Sequence, residues 1–301
     1  MQQSDRAGLL YALAGFSTLS LGDAIIKGMA NMWPPTAMAA TRYVLAAIVL
    51  SLVLARREGW RALIHMPRPG LQWLRGLSVA LATITIFTAV WLMPLAEATT
   101  ITFTQPMITA LLAAAFLGER LRKAALVATF VAFGGVMLVL RPNFAAVGPA
   151  ALLPLGTALS MATLVIANRA TAGAAGVWAM QTYVAVTASV FLVAATAIGH
   201  FSGSPRFVMH WPEWHVFARC AFIAFSASIA HWLIYLGTLR AGAATIAPMT
   251  YGQLLTAVVL GVLFFNEVPG PLALLGAAII VSAGLYLWYL GRTRSAVKAQ
   301  R

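Results

Sequence analysis

Ionisable side chains inside apolar stretches are the residues of this sequence most able to do chemistry, because desolvating a charge is costly. Asp23 and Lys27 stand four apart, so on a helix they share one face and can neutralise each other. Arg42 follows across the short Asn31–Thr36 connection and can reach the same end. Such a set suits capture of a carboxylate-bearing solute or an outer gate; the alternative is a structural charge set with Lys27 and Arg42 snorkelling to the interface. His231, followed by Trp232 and Tyr235, is the one histidine well inside an apolar run. Its ordinary pKa allows titration near neutrality, and a hydrogen-bonded packing role is the plainer reading.

Two prolines mark a second group. Pro106 and Pro248 each remove a helix hydrogen bond, freeing the carbonyls of Thr102 and Ala244, and polar side chains stand beside both: Gln105 at the first, Tyr251 and Gln253 at the second. With Trp91, Thr100 and Ser160 they supply aromatic faces and a few hydrogen-bonding groups for a central cavity. A plain kink accounts for the prolines equally well. His210, Glu213 and His215, with His200 nearby, are ligand-type residues, but two tryptophans share the segment and a solvated loop is the better account, so no metal site is expected. No Gly-x-Ser-x-Gly, His-Glu-x-x-His, phosphate loop or dinucleotide fingerprint occurs; neither catalytic residues nor a cofactor are expected.

The elements that must hold these residues are membrane helices. A chain of 301 residues that is 61% apolar and 9% charged has far more hydrophobic surface than a water-soluble core of that size can hide. At about 20 residues per crossing, ten runs qualify: 7–29, 36–55, 70–93, 97–117, 122–140, 149–170, 175–199, 214–239, 243–265 and 270–291. The first is too long for a signal-peptide core and reads as a retained span. Trp33, Trp60, Trp288 and Tyr289 suit the interfacial belt. The net charge of +13 lies in loops. Fifteen Lys and Arg fall on one set of alternate loops, against Arg141, Arg206 and Arg219 on the other, which places both termini in the cytoplasm and removes nucleic acid as a partner. The single cysteine, Cys220, excludes an internal disulfide.

The runs repeat. Pro94–Leu140 is an apolar run, the break Gly118-Glu119-Arg120 and a second run; Gly242–Leu290 follows the same plan, with Asn266-Glu267 at the break and Gly284 where the first copy has Gly135. Pairing Glu119 with Glu267 gives a register of 148, and pairing Leu19-Ser20 with Leu159-Ser160 gives 140. Two halves follow, 1–143 and 144–301. Five spans in each force the second copy to enter from the opposite side. The expected fold is an all-α polytopic membrane protein, ten transmembrane helices forming two inverted five-helix repeats around a central cavity. Alanines four apart at Ala110 and Ala114, and at Ala124, Ala128 and Ala132, let scaffold helices approach closely.

Gly22 to Lys27, Pro35 leading to Arg42-Tyr43, Pro106, and Leu117-Gly118-Glu119-Arg120-Leu121, in this order, resemble ten-helix EamA-type members of the drug/metabolite transporter superfamily over nearly the whole chain. The second half departs, reading Phe265-Asn266-Glu267-Val268 where many members have Leu-Gly-Glu-Arg. The resemblance implies a basket of helices opening alternately to each side, with the fourth, fifth, ninth and tenth helices as scaffold. Its nearest branch, bacterial inner-membrane exporters of aromatic amino acids, implies export of amino acids by alternating access in a lipid bilayer, with a monomer sufficient. The other readings are a carrier of another small molecule or drug-like cation, and a non-transporting receptor or an enzyme, the last disfavoured by the lack of a nucleophile–base pair at membrane depth.

Overall fold

A computed structural model of the chain describes residues 3–118, 123–204, 207–241 and 246–299. Every regular element among them is helical: α1 (Gln3–Lys27), α2 (Pro35–Glu58), the short α3 (Arg61–Ile64), α4 (Pro69–Leu92), α5 (Leu95–Thr102), α6 (Gln105–Leu117), α7 (Lys123–Val147), α8 (Leu153–Ala170), α9 (Val177–Phe201), α10 (Trp214–Ala241), α11 (Tyr251–Phe265) and α12 (Pro271–Ala299). Among the described residues eight segments are long and apolar enough to cross a bilayer, and one of these, Leu126–Ala170, is 45 residues long and contains most of α7 and all of α8. The apolar part of α12, Pro271–Tyr286, is shorter. The chain is an all-α polytopic membrane protein.

Local chemistry sets the ends of these helices. Prolines in the first turn open α2 and α4, where an absent N–H costs nothing. Gly118 closes α6 in the left-handed region (φ 66°), donating its N–H to the Ala113 carbonyl. Asn266 closes α11 in the same conformation (φ 54°), donating to the Gly261 carbonyl. Asparagine is among the few side chains that tolerate this region, so the departure from glycine at the second break preserves the cap. Around Pro106 the helix stops: α5 ends at Thr102, Thr104 donates to the Ile101 carbonyl in a tighter turn, and α6 begins at Gln105. Pro248 lies in a 3-10 turn, Ala247–Thr250, leading into α11. Pro106 therefore stands in the first turn of a new helix and separates two short helices rather than bending one.

Pairing between helices follows a reciprocal pattern. α1 packs along α10 and α8 along α4; α1 also meets α11, and α8 meets α6; α2 pairs with α9 and α7 with α12. Glycines permit the closest crossings. A Cβ at Gly135 would stand 2.8 Å from the Gly276 carbonyl oxygen across the α7–α12 pair, and one at Gly237 would stand 2.7 Å from the Gly8 oxygen across α1–α10. With lipid as apolar as leucine, this contact between backbones is a main source of helix association. Gly135 is thus matched in space by Gly276, while Gly284, its counterpart in sequence register, makes room for the Tyr251 ring. On α7 the alanine spacing holds, with Ala128 and Ala132 buried beside Met107 and Ala283; on α6 the buried small residue is Ala113 rather than Ala110 or Ala114.

Trp33 departs from its expected place in the interfacial belt. Only 4% exposed, it donates from Nε1 to the His210 carbonyl at 3.0 Å and packs its ring 5.4 Å from Phe217. Residues 207–213, part of the 200–213 connection expected as a solvated loop, are pinned in this way to the connection between α1 and α2. Trp60, 68% exposed, fits the belt.

Overpacking a tight crossing costs about 1–3 kcal/mol. Gly135→Val is expected to lower the melting temperature of the detergent-purified protein or abolish its monodisperse peak, whereas Gly134→Val, with nothing within 4 Å of its Cβ position, leaves both unchanged. Thermal unfolding followed by intrinsic fluorescence checks the contrast; equal behaviour of the two variants would refute it.

Candidate functional site

Asp23, Arg42 and Gln253 come together from three helices, with His231 on α10 within electrostatic reach of Arg42. Gln253 Nε2 on α11 donates to Asp23 Oδ2 on α1 at 3.4 Å, a long bond between two half-buried side chains. The Arg42 guanidinium on α2 lies over the rings of Tyr43, 5.3 Å away, and Phe87, 5.9 Å away. Its charge acts on Asp23 and His231, yet Asp23 and Arg42 make no direct ion pair. His231 Nδ1 lies 2.6 Å from the Ala227 carbonyl; taken as the N–H donor there, it leaves Nε2 as an acceptor. One turn from Gln253, the hydroxyls of Thr256 and Ser17 stand 3.0 Å apart, and Ser20 Oγ, three residues before Asp23, is buried without a hydrogen-bond partner. Unspent buried hydroxyls are rare in folded proteins.

The arrangement is a separated positive and negative charge flanked by two aromatic rings. A direct ion pair would largely satisfy itself. Two held apart can each receive an opposite charge from a solute, with the rings accepting a planar or cationic group.

Lys27 does not neutralise Asp23, contrary to the i, i+4 expectation. It forms a 2.7 Å ion pair with Glu267 beyond the end of α11 and donates to the carbonyls of Val90 and Met93 at 2.8 Å each. Three acceptors satisfy its three protons. The Glu267 carboxylate also accepts the Leu95 N–H at 3.0 Å, so the start of α5, the end of α11, α1 and α4 are tied at one end of the molecule. Beside this pair Glu97, 8% exposed, accepts a hydrogen bond from the Asn143 amide.

The remaining sequence candidates occupy other places. Trp91 Nε1 donates to the Ile26 carbonyl at 3.2 Å, joining α4 to α1 beside the Lys27 lattice. Thr100 is buried, its hydroxyl donating to Ala96 within α5. Gln105 opens α6 and Ser160 lies half-buried on α8, and neither side chain is hydrogen-bonded to the Asp23 group. Tyr251 packs edge-on against Phe103 at 5.4 Å, so the two broken helices meet at their breaks. The side chain of Tyr235 and the position of Ala244 lie outside the described residues. In the 202–213 region Glu213 contacts His215 at 3.2 Å, His210 Nε2 lies 3.2 Å from the Met32 carbonyl and His200 accepts from the Met209 N–H; no group of three metal-ligand side chains occurs among the described residues.

Sequence reasoning passed over Glu97 and a third polar group around Arg75. Arg75, 5% exposed, donates from Nε to Asn168 Oδ1 at 2.6 Å and from Nη1 to the Gln72 amide oxygen and the Met180 carbonyl. Arg68 Nη1 donates to the Ala170 carbonyl at the end of α8, where cations are favoured by the helix dipole. The signal was Arg75 itself, which lies inside the 70–93 run but counts as a loop charge in the orientation tally.

An all-helical membrane protein with separated charges half-buried between helices fits a solute carrier, and the comparisons agree. Residues 6–141 match the EamA-like transporter family model. The chain is similar to an S-adenosylmethionine uptake transporter of Rickettsia prowazekii (27% identity, 94% of this chain and 92% of that one) and to a riboflavin transporter of Rhizobium johnstonii (28% identity, 84% and 81%). A crystal structure of a protein 19% identical superposes with a TM-score of 0.61 over 96% of this chain and 98% of its own, a likeness of fold. The likeness is therefore to EamA-like transporters over just under half of the chain, and to named membrane transporters over most of its length.

Lys27→Met leaves Glu267 with an uncompensated charge at a site only one-fifth exposed. Breaking such a pair costs about 3 kcal/mol or more, so the variant is expected to melt well below the parent, with Lys27→Met/Glu267→Gln recovering part of the loss. A double-mutant cycle on unfolding temperatures gives the coupling; strictly additive losses would count against the pair.

Proposed function

We propose that this chain carries a small organic solute bearing a ring and ionic groups across the membrane by alternating access, with Asp23 and Arg42 holding the ionic groups. The observation that carries the reading is the charge pair held apart beside Tyr43 and Phe87. An amino-acid moiety bridges such a pair, its ammonium toward Asp23 and its carboxylate toward Arg42, while the ring portion stacks on the aromatic wall. A relative named for S-adenosylmethionine uptake suits this chemistry; the expected export of aromatic amino acids finds no support among the named relatives.

The internal organisation belongs to the same proposal. Halves 1–143 and 144–301, five crossings each and inverted, are supported by the reciprocal pairing of α1 with α10 and α8 with α4, and by the matched left-handed caps at Gly118 and Asn266. Both termini then lie in the cytoplasm of a bacterial cell, the chain residing in its inner membrane and sufficient as a monomer.

Liposomes containing the purified protein should take up radiolabelled S-adenosylmethionine saturably. Asp23→Asn and Arg42→Gln should each lower uptake about tenfold or more without changing the melting temperature by more than a few degrees. Riboflavin and phenylalanine serve as competitors that rank the ring and the ionic groups. No saturable movement of any of the three, or full activity of both variants, would overturn the assignment.

A further inference from the structure

Away from the Asp23–Arg42 group, a cavity of about 540 Å³ lies between one end of α2 and the facing end of α9, with Met209 and Trp211 also lining it. That volume is in the range of sites that hold small molecules. Its walls are small and apolar: Ala37, Ala40, Val44 and Leu45 from α2, Val193 and Ala197 from α9. Trp33, His200, Trp211 and Phe217 form its rim, with the Trp33 and Trp211 rings on either side of Phe217 at 5.4 and 6.1 Å.

Its depth and its opening identify the occupant. From Ala37 to Leu45 the helix rises eight steps, about 12 Å at about 1.5 Å per residue, against about 15 Å for the hydrocarbon of one leaflet. The cavity therefore runs from the headgroup level most of the way to the bilayer centre. Leu45 and Val193, at its deep end, are 37% and 49% exposed on a surface continued by Ile48 and Val190, so it opens sideways onto lipid-facing helix surface. The polar groups of its lining are largely spent: Thr196 donates to the Leu192 carbonyl, Trp33 to the His210 carbonyl, and His200 Nδ1 accepts from Met209. A polar solute would find few partners there. Beside the rim stands a cation in the opposite condition. Arg219 contacts the Met32 thioether at 3.8 Å, next in sequence to Trp33, and no carboxylate among the described residues pairs with it.

We propose that this cavity is a phospholipid site: one acyl chain fills the cleft between α2 and α9, and the lipid phosphate lies at the rim toward Arg219. Because the α2–α9 pair joins the two halves of the chain, the acyl chain acts as a removable wedge between their ends. The proposal is independent of the transported solute and of which face is external.

The test uses the full chain in phosphatidylcholine vesicles doped with phosphatidylcholine that carries a mid-chain diazirine, with photolabelled peptides mapped by mass spectrometry. Labelling of 37–45 and 193–201 is expected to exceed severalfold that of Phe130 and Val131, which are exposed on α7 and take no part in lining this cavity. Ala197→Trp, or Val193→Trp should the first fail to fold, is expected to reduce labelling at the cleft severalfold and leave α7 unchanged, and Arg219→Gln to weaken it. Equal labelling of cleft and α7, or cleft labelling indifferent to both tryptophan variants, overturns the site. Labelling by a diazirine fatty acid with none by the phospholipid overturns the occupant.

Discussion

Charge in hydrocarbon must be satisfied by the protein itself, and the ion pair of Lys27 with Glu267 shows how this chain meets that demand. The pair alone would not recover its desolvation cost, and it does not stand alone. Two backbone carbonyls take the remaining protons of Lys27 and the Leu95 N–H takes the second oxygen of Glu267. Each added bond recruits another helix, so a requirement of one ammonium fastens α1, α4, α5 and α11 at one end. Arg75 does the same at the other end of α4, gathering α8 and α9 through Asn168 and Met180.

Between these sealed ends the polar groups are treated differently. Asp23 and Arg42 stay half-buried, connected by a long hydrogen bond on one side and by ring faces on the other. The contrast divides the charges of one molecule: ions whose hydrogen bonds are complete brace the helices, while Asp23 and Arg42 keep bonding capacity, which is why the proposed function rests on them. The alternating access proposed above requires that tight crossings and loose ones coexist. The α7–α12 and α1–α10 pairs are locked at glycines, whereas the broken helices meet through side chains, at Phe103 and Tyr251.

Much of the fold was legible in the sequence because hydrocarbon leaves a chain few options. Apolar runs, prolines at first turns and the breaks at Gly118 and Asn266 report local satisfaction of backbone groups, which depends on neighbours a few residues away. Spacing also singled out Asp23, Arg42, His231 and Gln253 as polar residues within spans. It misjudged partners wherever two candidates were available. Lys27 has Asp23 one helical turn away, yet it reaches across 240 positions of sequence to Glu267, because that partner comes with backbone acceptors and Asp23 does not. Gly135 and Gly284 hold similar places in the two repeats, but their neighbours differ, Gly276 for the first and Tyr251 for the second, because equivalence in sequence does not say which faces meet.

The sequence by itself determined that this chain lives in a membrane, where its helices start and stop, and which few residues carry charge into the lipid. Only the tertiary structure decided which of those charges are spent and which are held in reserve. Burial and hydrogen-bond completion are properties of the meeting of several helices, and no periodicity along one of them records it.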